Sequence, residues 1–245
     1  MSVIASSGQE KAFKDGEWLS FQIKYGWFNA SKASLEVSSK KLESKTVYHI
    51  KGYGQSTGLL DVFFKVRDRY ETYVDTNTVK PYKFVRNLSE GGYVKNKMIQ
   101  FDHENNIATV HNYKYDTIEK HKFTDNTQDM LSALYYLRNK IDNNKLKIGD
   151  EFVLNMFFDE QNYDFKTRFL GREIIKTKFG DIKCLKFKPF VKSGRVFKEQ
   201  ESLSIWISDD KNKIPIQIVA DLAVGSLTAK LDQFKGLKHS FKIRM

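Results

Sequence analysis

The run Leu19-Ser20-Phe21-Gln22-Ile23-Lys24-Tyr25 alternates apolar and polar side chains at every step. An extended chain places Leu19, Phe21, Ile23 and Tyr25 on one face and Ser20, Gln22 and Lys24 on the other. The same period recurs at Ala33, Leu35 and Val37, at Phe152, Leu154, Met156 and Phe158, at Leu203, Ile205 and Ile207, and at Leu227, Ala229 and Leu231. One face buried and one face wet is the pattern of antiparallel sheet.

Turn signals punctuate these strands at Asp75-Thr76-Asn77, Asn105-Asn106, Gly180-Asp181, Ser193-Gly194 and Asp209-Asp210-Lys211-Asn212. Residues 177–183 read as a tight hairpin with Gly180 where φ must be positive. Pro81, Pro189 and Pro215 fall at strand ends or edges, where a missing N–H costs little. One segment breaks the period. Asp125-Asn126-Thr127-Gln128 resembles a capping box, and Met130, Leu131, Leu134, Tyr135, Leu137 and Ile141 follow at helical spacing. This predicts a helix over about 126–141, ending at Asn143-Asn144. The fold expected is mainly β: a large curved antiparallel sheet or open half-barrel with one central helix. Residues 12–245 read as one β-rich domain or as two β halves, 13–123 and 147–245, joined by that helix. Residues 1–11 read as a disordered segment or the tail of a trimmed leader.

The 245 residues are 40% hydrophobic, 14% aromatic and 29% charged, enough for a real core. The net charge of +11 favours anionic partners. Lysine far outnumbers arginine, the residue whose planar fork recognises bases and phosphates, which argues against nucleic acid as partner. Many lysines, such as Lys183, Lys186 and Lys188, alternate with apolar residues as on solvated strand faces. No apolar run reaches the roughly 18 residues of a membrane span, so any membrane contact is peripheral. The single cysteine, Cys184, sits in the apolar stretch Ile182–Phe187 and reads as a buried thiol.

Candidate chemistry is thin. Gly54-Gln55-Ser56-Thr57-Gly58 fits G-x-S-x-G, but the alternating strand–helix pattern that positions a nucleophile elbow is missing, so a β turn is the stronger reading. A serine hydrolase using Ser56 stays a remote alternative. The histidines lack metal-ligand spacing, and His103, His111 and His121 lie in polar hairpin sequence, which suits the surface. No metal, no cofactor and no catalytic residue is expected. The apolar surplus says more. Trp27-Phe28 follows Gly26, and Leu59-Leu60-Asp61-Val62-Phe63-Phe64 follows a Gly/Ser/Thr-rich turn; neither alternates cleanly. Trp27, Phe28, Leu59, Leu60, Phe63 and Phe64 are either core under loops or the apolar lining of a ligand groove.

Ordered blocks resemble a known family. Ala12-Phe13-Lys14-Asp15-Gly16-Glu17-Trp18-Leu19, Ser56-Thr57-Gly58-Leu59-Leu60, Arg67-Asp68-Arg69-Tyr70, the segment Gln128–Arg138, Trp206-Ile207-Ser208-Asp209-Asp210 and Val224-Gly225-Ser226 together look like domain-of-unknown-function family 3108, over about residues 12–234. The resemblance implies no established activity and no catalytic residues. It implies export, to the periplasm or the periplasmic face of the outer membrane. It also suggests an architecture similar to the half-barrel of periplasmic lipoprotein carriers. The function expected is a non-enzymatic cell-envelope protein binding an amphipathic ligand, such as a lipid or a lipoprotein acyl chain, in a concave apolar face. The alternative is a structural or adaptor protein binding another envelope protein through a sheet edge or the segment 59–64.

Overall fold

The structure, a computed structural model, describes residues 10–190, 203–222 and 224–243, and the backbone but not the side chain of Leu59. Of the expected leader (1–11), residues 1–9 lie outside the described residues, as does the turn at Ser193-Gly194; Glu10 is described and accepts from Lys211. A first meander runs through β1 (Trp18–Tyr25), β2 (Phe28–Leu42), β3 (Lys45–Ser56), β4 (Arg67–Asp75), β5 (Pro81–Glu90), β6 (Tyr93–Asp102), β7 (Ile107–Asn112) and β8 (Thr117–Lys122). A short helix, α1 (Gly58–Phe63), interrupts it between β3 and β4. After helix α2 (Met130–Lys140), a second meander follows through β9 (Glu151–Phe158), β10 (Gln161–Thr177), β11 (Gly180–Phe190), β12 (Leu203–Ser208), β13 (Pro215–Asp221) and β14 (Ser226–Lys235).

The two meanders fuse where the first and last strands pair, β1 against β14, with Phe21 opposite Leu231 and Ile23 opposite Ala229. The result is one antiparallel sheet of 14 strands with β8 and β9 at its edges. Those edges approach each other. Asn162 Nδ2 donates to the Lys122 carbonyl at 2.9 Å, and Gln128 pairs with both Asn155 and Phe157 across the gap. The sheet thus curls into an open, barrel-like form whose unpaired edges are bridged through residues 123–129.

Local chemistry explains the turns. The Asp75 carboxylate accepts from the Asn77 and Thr78 N–H groups, and Asp210 accepts from Asn212 and Lys213. Gly180 takes φ +119 at the β10–β11 hairpin. The helix starts later than the spacing predicts. Asp129, not Asp125, is its N-cap: its carboxylate accepts from the Leu131 and Ser132 N–H groups while Ser132 Oγ accepts from the Asp129 N–H. Asp125 and Asn126 instead form a turn, Asn126 with φ +57, and Gln128 is spent on the seam.

Helix α2 fills the concave side. Leu131 packs with Phe84, Ile99, Phe101 and Phe157; Tyr135 with Phe13, Val37, Ile50 and Val74; and Ile141, at its end, with Phe169, Leu185 and Phe187. One helix thus joins core clusters from both meanders. Strand β11 is covered on both sides, since Ile182 and Cys184 pack with Leu19 and Phe21 while Leu185 and Phe187 pack toward Ile141. Burial pushes the Cys184 thiol up to about 12, as suits an inert apolar filler.

Arg138 on α2 is fully buried and bidentate to Glu17, at 2.6 and 2.8 Å. Its remaining donors reach the Asn212 and Ala12 carbonyls, so the guanidinium ties the helix to the N-terminal segment and the β12–β13 turn.

Candidate functional site

Antiparallel topology sends the β1–β2, β3–β4, β5–β6, β7–β8, β9–β10 and β13–β14 connections to the same end of the barrel. That end is apolar where a protein surface is ordinarily polar. Trp27 and Phe63 are each 79% exposed, and Tyr25, Phe28, Leu60, Val62, Phe64, Tyr93, Val94, Tyr113, Tyr115 and Val224 are all exposed beside them. Trp27 and Phe28 stack with ring centroids 3.6 Å apart. They hold each other, and Trp27 keeps most of its surface open to solvent.

The turns are joined laterally. Tyr25 donates its hydroxyl to the Val224 carbonyl at 2.9 Å, which ties the β1–β2 turn to the β13–β14 turn. The Thr57 N–H donates to the Ala30 carbonyl, which anchors α1 to β2. Phe64 packs its ring against Gly91 at the β5–β6 turn, where a Cβ would push the ring aside. The positive φ of +53 at Gly91 is what favours glycine there. Lys114 sits over the Tyr93 and Tyr115 rings, at 5.7 and 5.4 Å. The rim is thus a row of exposed aromatic side chains on turns tied to one another, the kind of surface that marks a binding site.

Just inside this rim lies a charged mouth. Arg86 on β5 and Lys95 and Lys97 on β6 converge on the β9–β10 turn: Arg86 and Lys95 on Asp159, Lys97 on Glu160. Phe158 stacks under the Arg86 guanidinium at 4.6 Å. The space left among Phe84, Ile99 and these ion pairs is about 10 Å³, so the mouth is shut. Asp68 and Glu90 lie next to it and bond each other; burial and that second carboxylate push Asp68 up to about 6.

Of the residues singled out from the sequence, Trp27, Phe28, Leu60, Phe63 and Phe64 come together on the rim. They do not line the concave interior, which α2 occupies. Leu59 is in α1, its side chain outside the described set. Ser56 closes β3, 3% exposed: its hydroxyl donates to Asp61 at 2.5 Å and accepts from the Val66 N–H. Asp61 is bidentate to Arg67, which together with Ser56 holds its carboxyl at about 2. Among the described residues the Ser56 hydroxyl bonds Asp61, the Val66 N–H and Arg67, and so staples α1 to the start of β4. The histidines are less exposed than hairpin sequence implies: His103 packs on Phe101 and Phe123 and donates its Nε2–H to the Pro81 carbonyl at 2.7 Å, and His121 sits against Phe157. Their rings fill gaps between strands near the seam. Among the described residues no three His, Cys, Asp or Glu side chains gather as a metal site. A second, polar cavity of about 390 Å³ lies at the opposite end, lined by Glu10, Asn139, Asp142, Asp210 and Lys213 among others.

The charged mouth was not legible beforehand. Lys95-Asn96-Lys97 alternates like any solvated strand face, and Asp159-Glu160 reads as an ordinary turn. Only the curl of the sheet brings them together.

No helix is long and apolar enough to cross a membrane. The family model described as protein of unknown function, DUF3108, matches residues 20–232. Among curated proteins none matches the chain. A solved beta-barrel-like protein of domain of unknown function DUF1849 from Brucella abortus is similar with a TM-score of 0.58 at 8% identity, over 94% of this chain and all (100%) of that one. This shows a shared barrel-like fold, and fold alone does not carry function. A candidate lipoprotein from Parabacteroides distasonis aligns at a TM-score of 0.34 and 13% identity, over 92% of this chain and 98% of that one.

Proposed function

The chain belongs to the DUF3108 family, and on that premise we propose that it is a non-enzymatic protein of the cell envelope, in the periplasm, that binds an amphipathic ligand such as a lipid or a lipoprotein acyl chain. The observation that supports this is the connected apolar rim around the mouth of the barrel. An acyl chain laid across Trp27, Phe28, Leu60, Phe63 and Phe64 would remove from water the surface these side chains now expose. Their burial is worth about 1.5–3 kcal/mol per large side chain.

The adaptor reading would use the same arc. It gains little from the sheet edge, because β8 carries Glu119, Lys120 and Lys122, charges that discourage strand addition. Ligand and partner are therefore separated by what occupies the rim.

The tryptophans supply the test. Trp27 is exposed at the rim, whereas Trp206 is buried and donates to Glu173 at 2.7 Å and the half-buried Trp18 sits at the other end of β1 under Lys235, so a change of emission on ligand binding at the rim is dominated by Trp27. Titrating delipidated protein with a neutral monoacylglycerol should shift the emission to the blue, and Trp27→Phe should remove most of the shift. Phe63→Ser with Phe64→Ser should weaken binding at least about tenfold, since each ring contributes more than 1.4 kcal/mol. No shift, with an envelope protein captured by crosslinking at the rim, would replace the lipid by a protein partner.

A further inference from the structure

We propose that Arg86, Lys95 and Lys97 form the site for an anionic headgroup, an oxyanion such as a phosphate or carboxylate, and that Asp159 and Glu160 fill that site while the ligand is away. The proposal rests on the reading of the rim as an amphiphile-binding surface and adds the ligand's charge to it.

The three cations are drawn in from solvent, their side chains only 16%, 15% and 16% exposed. Charges so placed need anions nearby. Those anions do not come from their own hairpin. Asp68 and Glu90, the acids closest in the first meander, bond each other, and Asp68 accepts from the Ser89 N–H; Asp68 acts on Arg86 only through space. The countercharge arrives instead from the far meander, on the two central residues of the β9–β10 turn.

That turn is an expensive place for carboxylates. Asp159 has φ +46 and Glu160 φ +61, left-handed conformations for which Asn-Gly is the easy choice. Side-chain-bearing residues there cost backbone energy that the ion pairs must return. The cation set is also incompletely used: Arg86 Nε is buried without a hydrogen-bond partner. A multi-oxygen headgroup can accept from more donors than two separate carboxylates do.

Position completes the case. Arg86, Lys95 and Lys97 stand on the same hairpin whose tip, Gly91, carries the Phe64 ring and whose next residues are Tyr93 and Val94. From Tyr93 to Lys95 is one strand repeat, about 7 Å. A headgroup on the cations would leave its chain at the rim.

The test compares two probes with the same acyl chain, lysophosphatidylglycerol and neutral monoacylglycerol, each followed by Trp27 emission. The wild type should bind the anionic probe more tightly. Lys95→Gln with Lys97→Gln should lower its affinity about tenfold, a change of about 1.4 kcal/mol, and leave the neutral probe unchanged. Asp159→Asn with Glu160→Gln should move the anionic affinity the other way; the single change Glu160→Gln serves if the double variant unfolds. Equal binding of the two probes, unmoved by these substitutions, would overturn the headgroup site while leaving the rim reading intact. Failure of both probes to bind would overturn both.

Discussion

Arg138→Met should destabilise the protein by about 3–5 kcal/mol, because it leaves a buried carboxylate without its partner. Glu17 is fully buried, and among the described residues both hydrogen bonds to its side chain come from Arg138. The loss extends past the pair. The same guanidinium holds the Asn212 and Ala12 carbonyls, and Phe13 and Tyr135 pack against it at 5.6 and 4.9 Å. Urea unfolding should therefore show a lower midpoint with little change in slope. Glu17→Gln added to Arg138→Met should recover part of the loss, since it removes the stranded charge. A double variant no better than the single one would mean that the carbonyl contacts, rather than the ion pair, hold α2 in place.

The second large effect is on pH dependence. Asp129 is wholly buried at the start of α2, and burial pushes its carboxyl up to about 6 despite hydrogen bonds from Thr72, Leu131 and Ser132. Its unfolded value is near 3.8. A raised carboxyl pKa means that the folded state holds the proton more tightly. The associated stability is full below about pH 4 and is lost as pH rises through about 6, by about 3 kcal/mol. Asp129→Asn keeps an oxygen for the helix N–H groups and abolishes the titration. The difference between wild-type and variant stability should change across pH 4–6 and be flat above it. Asp68, also raised to about 6, leaves a residual slope in both proteins that the subtraction cancels. Asp129→Ala should instead cost about 2–4 kcal/mol at pH 7, from the lost cap and the stranded Thr72 hydroxyl.

The strands were legible because alternation is local: Leu19 and Phe21 declare a buried face without reference to anything distant. The turns at Asp75, Asp210 and Gly180 were legible for the same reason, each being set by one side chain or one φ. The helix was found but its start was placed too early, since Asp125 and Asp129 both precede plausible capping spacings, and only the seam contacts of Gln128 decide between them. The apolar rim was half legible. Trp27-Phe28 and Leu59–Phe64 broke the alternation, yet the same break fits core under a loop, and exposure is settled by where α2 goes. It fills the concave face itself. The mouth was illegible, because Lys97 and Glu160 meet only when β6 and the β9–β10 turn face each other across the barrel.

The most direct measurement of the central claim is native mass spectrometry of the protein purified gently from its own cells, wild type beside Phe63→Ser/Phe64→Ser. The wild type should carry an added mass of lipid or acyl-chain size, and the variant should lose it while keeping its fold. An equally occupied variant would remove the rim from ligand binding. A wild type with no added mass, under conditions that preserve lipid on a control protein, would contradict the amphiphile-binding function.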